Sequence, residues 1–270
     1  MGFEEILLLP YNKLKNTWKY CSYNKPFFLF ILLLLCTLNI IPNIFSNIPI
    51  IVVLYVVIFI ISSGYGMCIT RDKINHGHRL PKIMPKLIIT LGINSSIVFI
   101  VYFSLQSLIL NIFSDLLNFP QFDLIASIMH FSDTLHMLFT HNLIHSLIFF
   151  TVGAILFYVT TFFTSIGLAK LADTGSLSTA FNLKSIYKII GLFGWRKYIS
   201  EYNFFIITLV ILTYLQSLSI SNFWIDNIID TFFEFLIFAS VYIGMGDRYG
   251  RMKDIEKNTQ INQKNKIVEK

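Results

Sequence analysis

Charge is scarce in this chain. Of 270 residues only 13% are charged, 55% are hydrophobic, and mean hydropathy is +0.66. A soluble domain is about a quarter charged. The shortage excludes a water-soluble globule of this size, a disordered chain and a soluble nucleic-acid binder. Cysteine is scarce too: Cys21, Cys36 and Cys68 are the only three, and no C-x-x-C pair occurs. That count and spacing exclude a secreted disulfide scaffold and leave apolar packing as the expected role. There is no Walker A loop, no dinucleotide-binding glycine fingerprint, no G-x-S-x-G elbow and no H-E-x-x-H pair. None of the chemistries those motifs carry is indicated. A cleavable signal peptide is not expected, because the first apolar run begins only at Phe27 and Glu4 and Glu5 spoil a basic leader.

What the chain has is long apolar runs. Six segments, about 26–42, 48–69, 87–114, 146–171, 203–220 and 228–246, have the length and apolarity of membrane spans. The basic residues alternate with them. Four fall in 1–25, five in 71–86, five in 170–197 and seven in 248–270, which accounts for all 21. The other connections carry Asp115, Asp123, Asp133, Asp226 and Asp230 and no Lys or Arg. The positive-inside rule then places both termini in the cytoplasm of a multi-pass cell-membrane protein. The net charge of +6 and pI near 9.1 follow from topology and contact with anionic lipid, so no nucleic-acid partner is needed.

The expected fold is all-α. It is a polytopic membrane helical bundle of about six transmembrane helices in three hairpins, with amphipathic helices on the inner leaflet. A cytoplasmic amphipathic segment (1–25) precedes a six-span membrane domain (26–250). A basic tail (251–270), without an apolar face, is expected to be disordered or a frayed helix. Between the fourth and fifth spans, Asn182 reads as a helix N-cap, with Phe181 and Ile186 placed for a hydrophobic staple. Ile186, Ile189, Ile190 and Phe193 then form an apolar stripe opposite Lys184 and Lys188, followed by Trp195, Arg196, Lys197 and Tyr198. We read 176–200 as one or two helices on the inner leaflet. Candidate headgroup-binding residues are Arg71, Arg79, Lys82, Lys184, Lys188, Trp195, Arg196 and Lys197.

Two further groups carry candidate chemistry. Glu234 lies just inside the sixth span with Asp230 one turn outward, and Gln216 and Gln106 are at a similar level on other spans. Intramembrane acids mark ion or proton paths, or else hydrogen-bonded structural clusters. In the outer loop, Asp133, His136, His141 and His145 have i, i+3 and i, i+4 spacings compatible with a transition metal. The competing reading is an amphipathic helix facing headgroups and water, and no cofactor is expected.

Several motifs stand out together: Pro10-Tyr11 with Trp18-Lys19, Gly64-Tyr65, Leu80-Pro81, Ala169-x-x-Ala172-x-Thr174-Gly175-Ser176-Leu177, Ala180-Phe181-Asn182-Leu183 and Gly194-Trp195-x-x-Tyr198. In these the chain resembles the archaeal membrane proteins grouped as Domain of Unknown Function 4013, over about 5–250. It departs from them around Leu80-Pro81, where His76, His78, Arg79 and Lys82 stand in place of acids. The resemblance implies a multi-pass membrane protein and no established activity, so no catalytic residue is carried over.

Three functions fit these features. The leading one is a non-enzymatic membrane component that binds lipid headgroups or partner proteins in the membrane. The others are a small-solute or ion transporter working through Glu234, and a metal-assisted lipid-modifying enzyme using the outer histidines.

Overall fold

The computed structural model describes residues 14–44, 48–116, 143–216 and 223–268. Every described element is a helix, and the described residues contain no strand. A helix over 14–22 (α1) leads into α2 (Lys25–Ile44) and α3 (Ile48–Ile74). Then come α4 (Pro85–Leu116), α5 (Leu143–Thr174), the single turn α6 (Leu177–Ala180), α7 (Leu183–Phe193), α8 (Trp195–Gln216) and α9 (Phe223–Val268).

Among the described residues five helices are long and apolar enough to cross a bilayer: α3, α4, α5, α8 and α9. The first expected span coincides with the 20-residue α2. Pro85 opens α4, where its missing N–H removes no helical hydrogen bond. At 1.5 Å per residue α9 is about 69 Å long, more than twice the roughly 30 Å hydrocarbon core.

The chain divides into two compact units. In the first (1–96 with 166–270), α3 is the central helix, and its crossings depend on small residues. A side chain at Gly64 would run into the Ile88 carbonyl oxygen of α4, and one at Gly92 into that of Ile60 on α3. On its other side α3 meets α9, where a side chain at Gly246 would strike Thr70 and Lys73 and one at Gly66 the Tyr242 ring. Thr70 Oγ1 donates to the Gly66 carbonyl of its own helix (3.2 Å) and to the Tyr242 carbonyl of α9 (3.0 Å). In a bilayer the hydrophobic effect does not drive helices together. Close van der Waals approach and interhelical hydrogen bonds of about 0.6–2 kcal/mol do.

The second unit (97–165) holds parts of α4 and α5. Phe103 of α4 and Phe157 of α5 face each other within it (6.3 Å between centroids). Thr151 donates back to Leu147 and Thr161 to Phe157 of the same helix, each at 2.8 Å. Ile100, Leu105, Leu108, Leu147 and Ile155 are exposed, as lipid-facing residues are in a bilayer.

Two regions differ from expectation. The tail expected as disordered or frayed is helical through Val268. Tyr249 and Met252 are buried, and Lys253 Nζ pairs with Asp173 (2.6 Å), so tertiary contacts reward helix where the sequence has no apolar stripe. The expected pair of interfacial helices over 176–200 consists of α6, α7 and the first turns of α8. Gly194, at φ 97°, adopts the left-handed backbone that separates α7 from α8.

Candidate functional site

Contacts join the basic connections of the first unit to one another: Tyr20 to Asp72, Asn24 to Leu80 and Lys253 to Asp173. The Tyr65 hydroxyl donates to the Pro81 carbonyl (2.8 Å), and Asn24 Nδ2 donates to the Leu80 carbonyl (3.2 Å). Gly64-Tyr65 and Leu80-Pro81 are thus two halves of one clasp that fixes the linker after α3. A side chain at Gly167 would meet the Ala180 carbonyl, so α6 lies directly on α5. Asn182 caps α7 as expected, with Oδ1 accepting from the Ser185 N–H (3.0 Å). Lys170, buried in α5, donates to the Ser185 hydroxyl.

The apolar stripe of α7 has a different partner from the expected one. Ile186, Ile189, Ile190 and Phe193 are all buried within the protein, where α7 packs on α8 and α9. The opposite face, with Leu183, Lys184, Tyr187 and Lys188, is exposed. Trp195 and Tyr187 pair their rings at 4.8 Å, and Lys197 Nζ lies 4.5 Å over the Phe193 ring. Arg71, Arg79, Lys82, Lys184, Lys188, Arg196 and Lys197 are all exposed. Among the described residues none of the seven is in an ion pair with an acid. By contrast, Arg251 is held by Glu201 in a bidentate pair (2.9 and 2.6 Å), and Lys253 by Asp173.

A cavity of about 140 Å³ lies inside the first unit. Lys73 of α3, Phe205 and Thr208 of α8, and Ser240, Asp247, Arg248 and Arg251 of α9 line it, with α1 contributing Leu14, Asn16 and Thr17. Arg248 is 5% exposed, and its Nη2 has no hydrogen-bond partner among the described residues. The guanidinium carbon sits 4.3 Å from the Phe205 ring and 5.5 Å from that of Tyr202. Aromatic faces return about 2 kcal/mol or somewhat more to a desolvated cation, against several for burying it unpaired. Ser240 Oγ, also buried, likewise has no partner among the described residues.

Beside the cavity, α1 is anchored by Tyr20. Its hydroxyl donates to Asp72 Oδ2 (2.8 Å), and Lys73 Nζ lies 4.1 Å over its ring. Burial and the neighbouring carboxylate push the Tyr20 phenol well above its ordinary pKa. Burial pushes the adjacent Cys21 thiol up to about 12.

Of the intramembrane candidates, Glu234 and Asp230 stand one turn apart on α9, each only partly exposed and engaged with other groups. Glu234 is within electrostatic reach of Tyr55 on α3, a residue the sequence did not single out. Gln216 ends α8. Gln106 belongs to the second unit and is buried, its Oε1 without a hydrogen-bond partner among the described residues. Asp133, His136 and His141 lie outside the described residues, as does the His145 side chain. The described residues include no cluster of three metal-binding side chains.

Fold and composition define a polytopic all-α membrane protein. The family described as protein of unknown function (DUF4013) matches residues 47–221, more than half of the chain, and the chain belongs to that family. The match runs from the start of α3 into the connection after α8, so it includes Lys73 and the exposed basic edge and leaves out α9. No curated protein and no solved structure matches the chain.

Proposed function

We propose that the protein is a non-enzymatic component of the cell membrane that binds anionic lipid headgroups along its basic end, with both termini in the cytoplasm. One observation carries this reading. Seven cations, on the last turn of α3, the α3–α4 linker, α7 and the start of α8, are exposed without acidic partners among the described residues, while Arg251 and Lys253 of α9 are paired with Glu201 and Asp173. Cations beside an anionic leaflet contribute about 1 kcal/mol each and hold a protein at the surface collectively. The Tyr187–Trp195 pair belongs to the amphipathic aromatics that prefer the headgroup layer. Because the apolar stripe of α7 is used inside the bundle, this edge is rigidly mounted, and lipid meets a fixed row of charge.

The experiment is native mass spectrometry of the protein released from nanodiscs of mixed zwitterionic and anionic lipid. The wild type is expected to retain anionic lipid at fixed stoichiometry, and the variant K184Q/K188Q/R196Q/K197Q to lose most of it. Equal retention by both proteins refutes the reading.

A further inference from the structure

We propose that the cavity beside Arg248 is a binding site for a singly charged phosphate group, distinct from the exposed basic edge. The site presents donors that have nothing to donate to. Arg248 is 95% buried by its 5% exposure, and Nη2 has no hydrogen-bond partner among the described residues. A guanidinium stays protonated in a protein, and a buried charge is retained where it is paired. Ser240 Oγ, two turns back on α9 and 9% exposed, is a second polar atom in the same condition, and it lines the same space. The two residues lie on one stripe of α9 with Gly244 and Arg251.

The charge count selects the ligand. Lys73, Arg248 and Arg251 face the space, against Asp247 alone. Glu201 already holds Arg251 through both carboxylate oxygens. Asp247 offsets one of the two remaining cations, which leaves one positive charge. A phosphate bearing one negative charge, as a diester or dihydrogen phosphate does, matches it. The planar fork of arginine suits tetrahedral oxyanions. Size narrows the choice further. Pockets for whole small molecules measure about 300–1,000 Å³, whereas the 140 Å³ here has room for one phosphate group. Phe205 and Tyr202 cover the guanidinium and leave its edge to do the binding. The phosphate comes either from solution or from a lipid headgroup.

The test uses the full chain in a mild neutral detergent. Its thermal midpoint is followed against inorganic phosphate, with sodium chloride at matched ionic strength as control. It is then followed against dihexanoyl phosphatidylglycerol, with dihexanoyl phosphatidylcholine as control. The wild type is expected to be stabilised saturably by at least one of the two phosphate probes. A response to inorganic phosphate identifies the free ion as a source; a response to the glycerol lipid alone identifies a headgroup. R248Q is expected to bind at least about tenfold weaker, because a charged hydrogen bond is lost. S240A is expected to bind several-fold weaker, and K257Q, at an exposed position further along α9, is expected to respond as the wild type does. If R248Q does not fold, S240A decides. The proposal is overturned if neither probe stabilises the wild type, or if the folded cavity variants respond as it does. Failure of lipid retention by the α7–α8 edge leaves this test unchanged, so the two readings fall separately.

Discussion

The two units are built from equally apolar helices and use them differently. Where α3 crosses α4 and α9, glycines bring backbones into contact, a threonine hydroxyl bridges two helices, and charged side chains are buried or paired close by. Within 97–165, large aliphatic side chains point outward, and the Thr151 and Thr161 hydroxyls donate within their own helix. Apolarity puts a helix into a bilayer, whereas small residues and unsatisfied polar groups decide where helices touch. Polar groups available for recognition accumulate where backbones are close and aliphatic bulk is excluded.

The sharpest way to break this contrast is to add the same kind of bulk in both places. Gly246→Val should cost about 3 kcal/mol or prevent folding, because the new side chain meets Thr70 and Lys73 at the α3–α9 crossing. Gly153→Ala in the other unit should stay within about 0.5 kcal/mol, since among the described residues its Cβ would meet only Leu110, at 3.7 Å. Thermal unfolding in detergent or bicelles checks both, and a large effect at Gly153 would erase the distinction.

Tyr20→Phe probes the polar side of the first unit. It removes the hydrogen bond to Asp72 beside the cavity and should cost about 1–3 kcal/mol. A cost of that size together with a loosened α1, read as faster amide exchange over 14–22, is the expected result.

The smallest effect appears only in alkali. Cys21 keeps its proton in the folded protein up to about pH 12, while an unfolded thiol releases it near pH 8.5–9. The folded state then binds more protons than the unfolded one, so stability falls as pH rises through that window. Cys21→Ser should flatten the fall contributed by the thiol, as midpoints at pH 8 and pH 10 will show. At neutral pH Cys21 should react slowly with thiol reagents, because the thiolate is scarce.

Much of this fold is legible in the residues. The apolar runs lie on α2 to α5, α8 and α9, with some ends displaced, most of all that of α9, which runs on to Val268 because the helix extends past the hydrocarbon-length stretch. The cap at Asn182 is legible because its chemistry is local. What α7 packs against is not, since an apolar stripe reads the same whether it meets lipid or protein. The helical tail is not legible either, because Tyr249, Met252 and the ion pairs to Asp173 and Glu201 are long-range contacts. Arg248 carries a signal in the sequence. It lies between Gly246 and Gly250, whose four-residue spacing sets one face of α9 against α3. A residue two positions on from Gly246 turns about 200° away, toward a different neighbour. The histidine loop stays a sequence-level expectation, since its candidate side chains lie outside the described residues.

The exposed cations at the end of α3 and on the α3–α4 linker, α7 and α8 are where the protein is proposed to meet an anionic surface. The most direct measurement is the thermal midpoint of the protein in nanodiscs as phosphatidylglycerol replaces phosphatidylcholine, at low and at high salt. The account predicts a midpoint that climbs with the anionic fraction, a smaller climb at high salt because exposed charges are screened, and a much smaller one in K184Q/K188Q/R196Q/K197Q. A midpoint indifferent to anionic lipid, or a variant that climbs as steeply as the wild type, would contradict it.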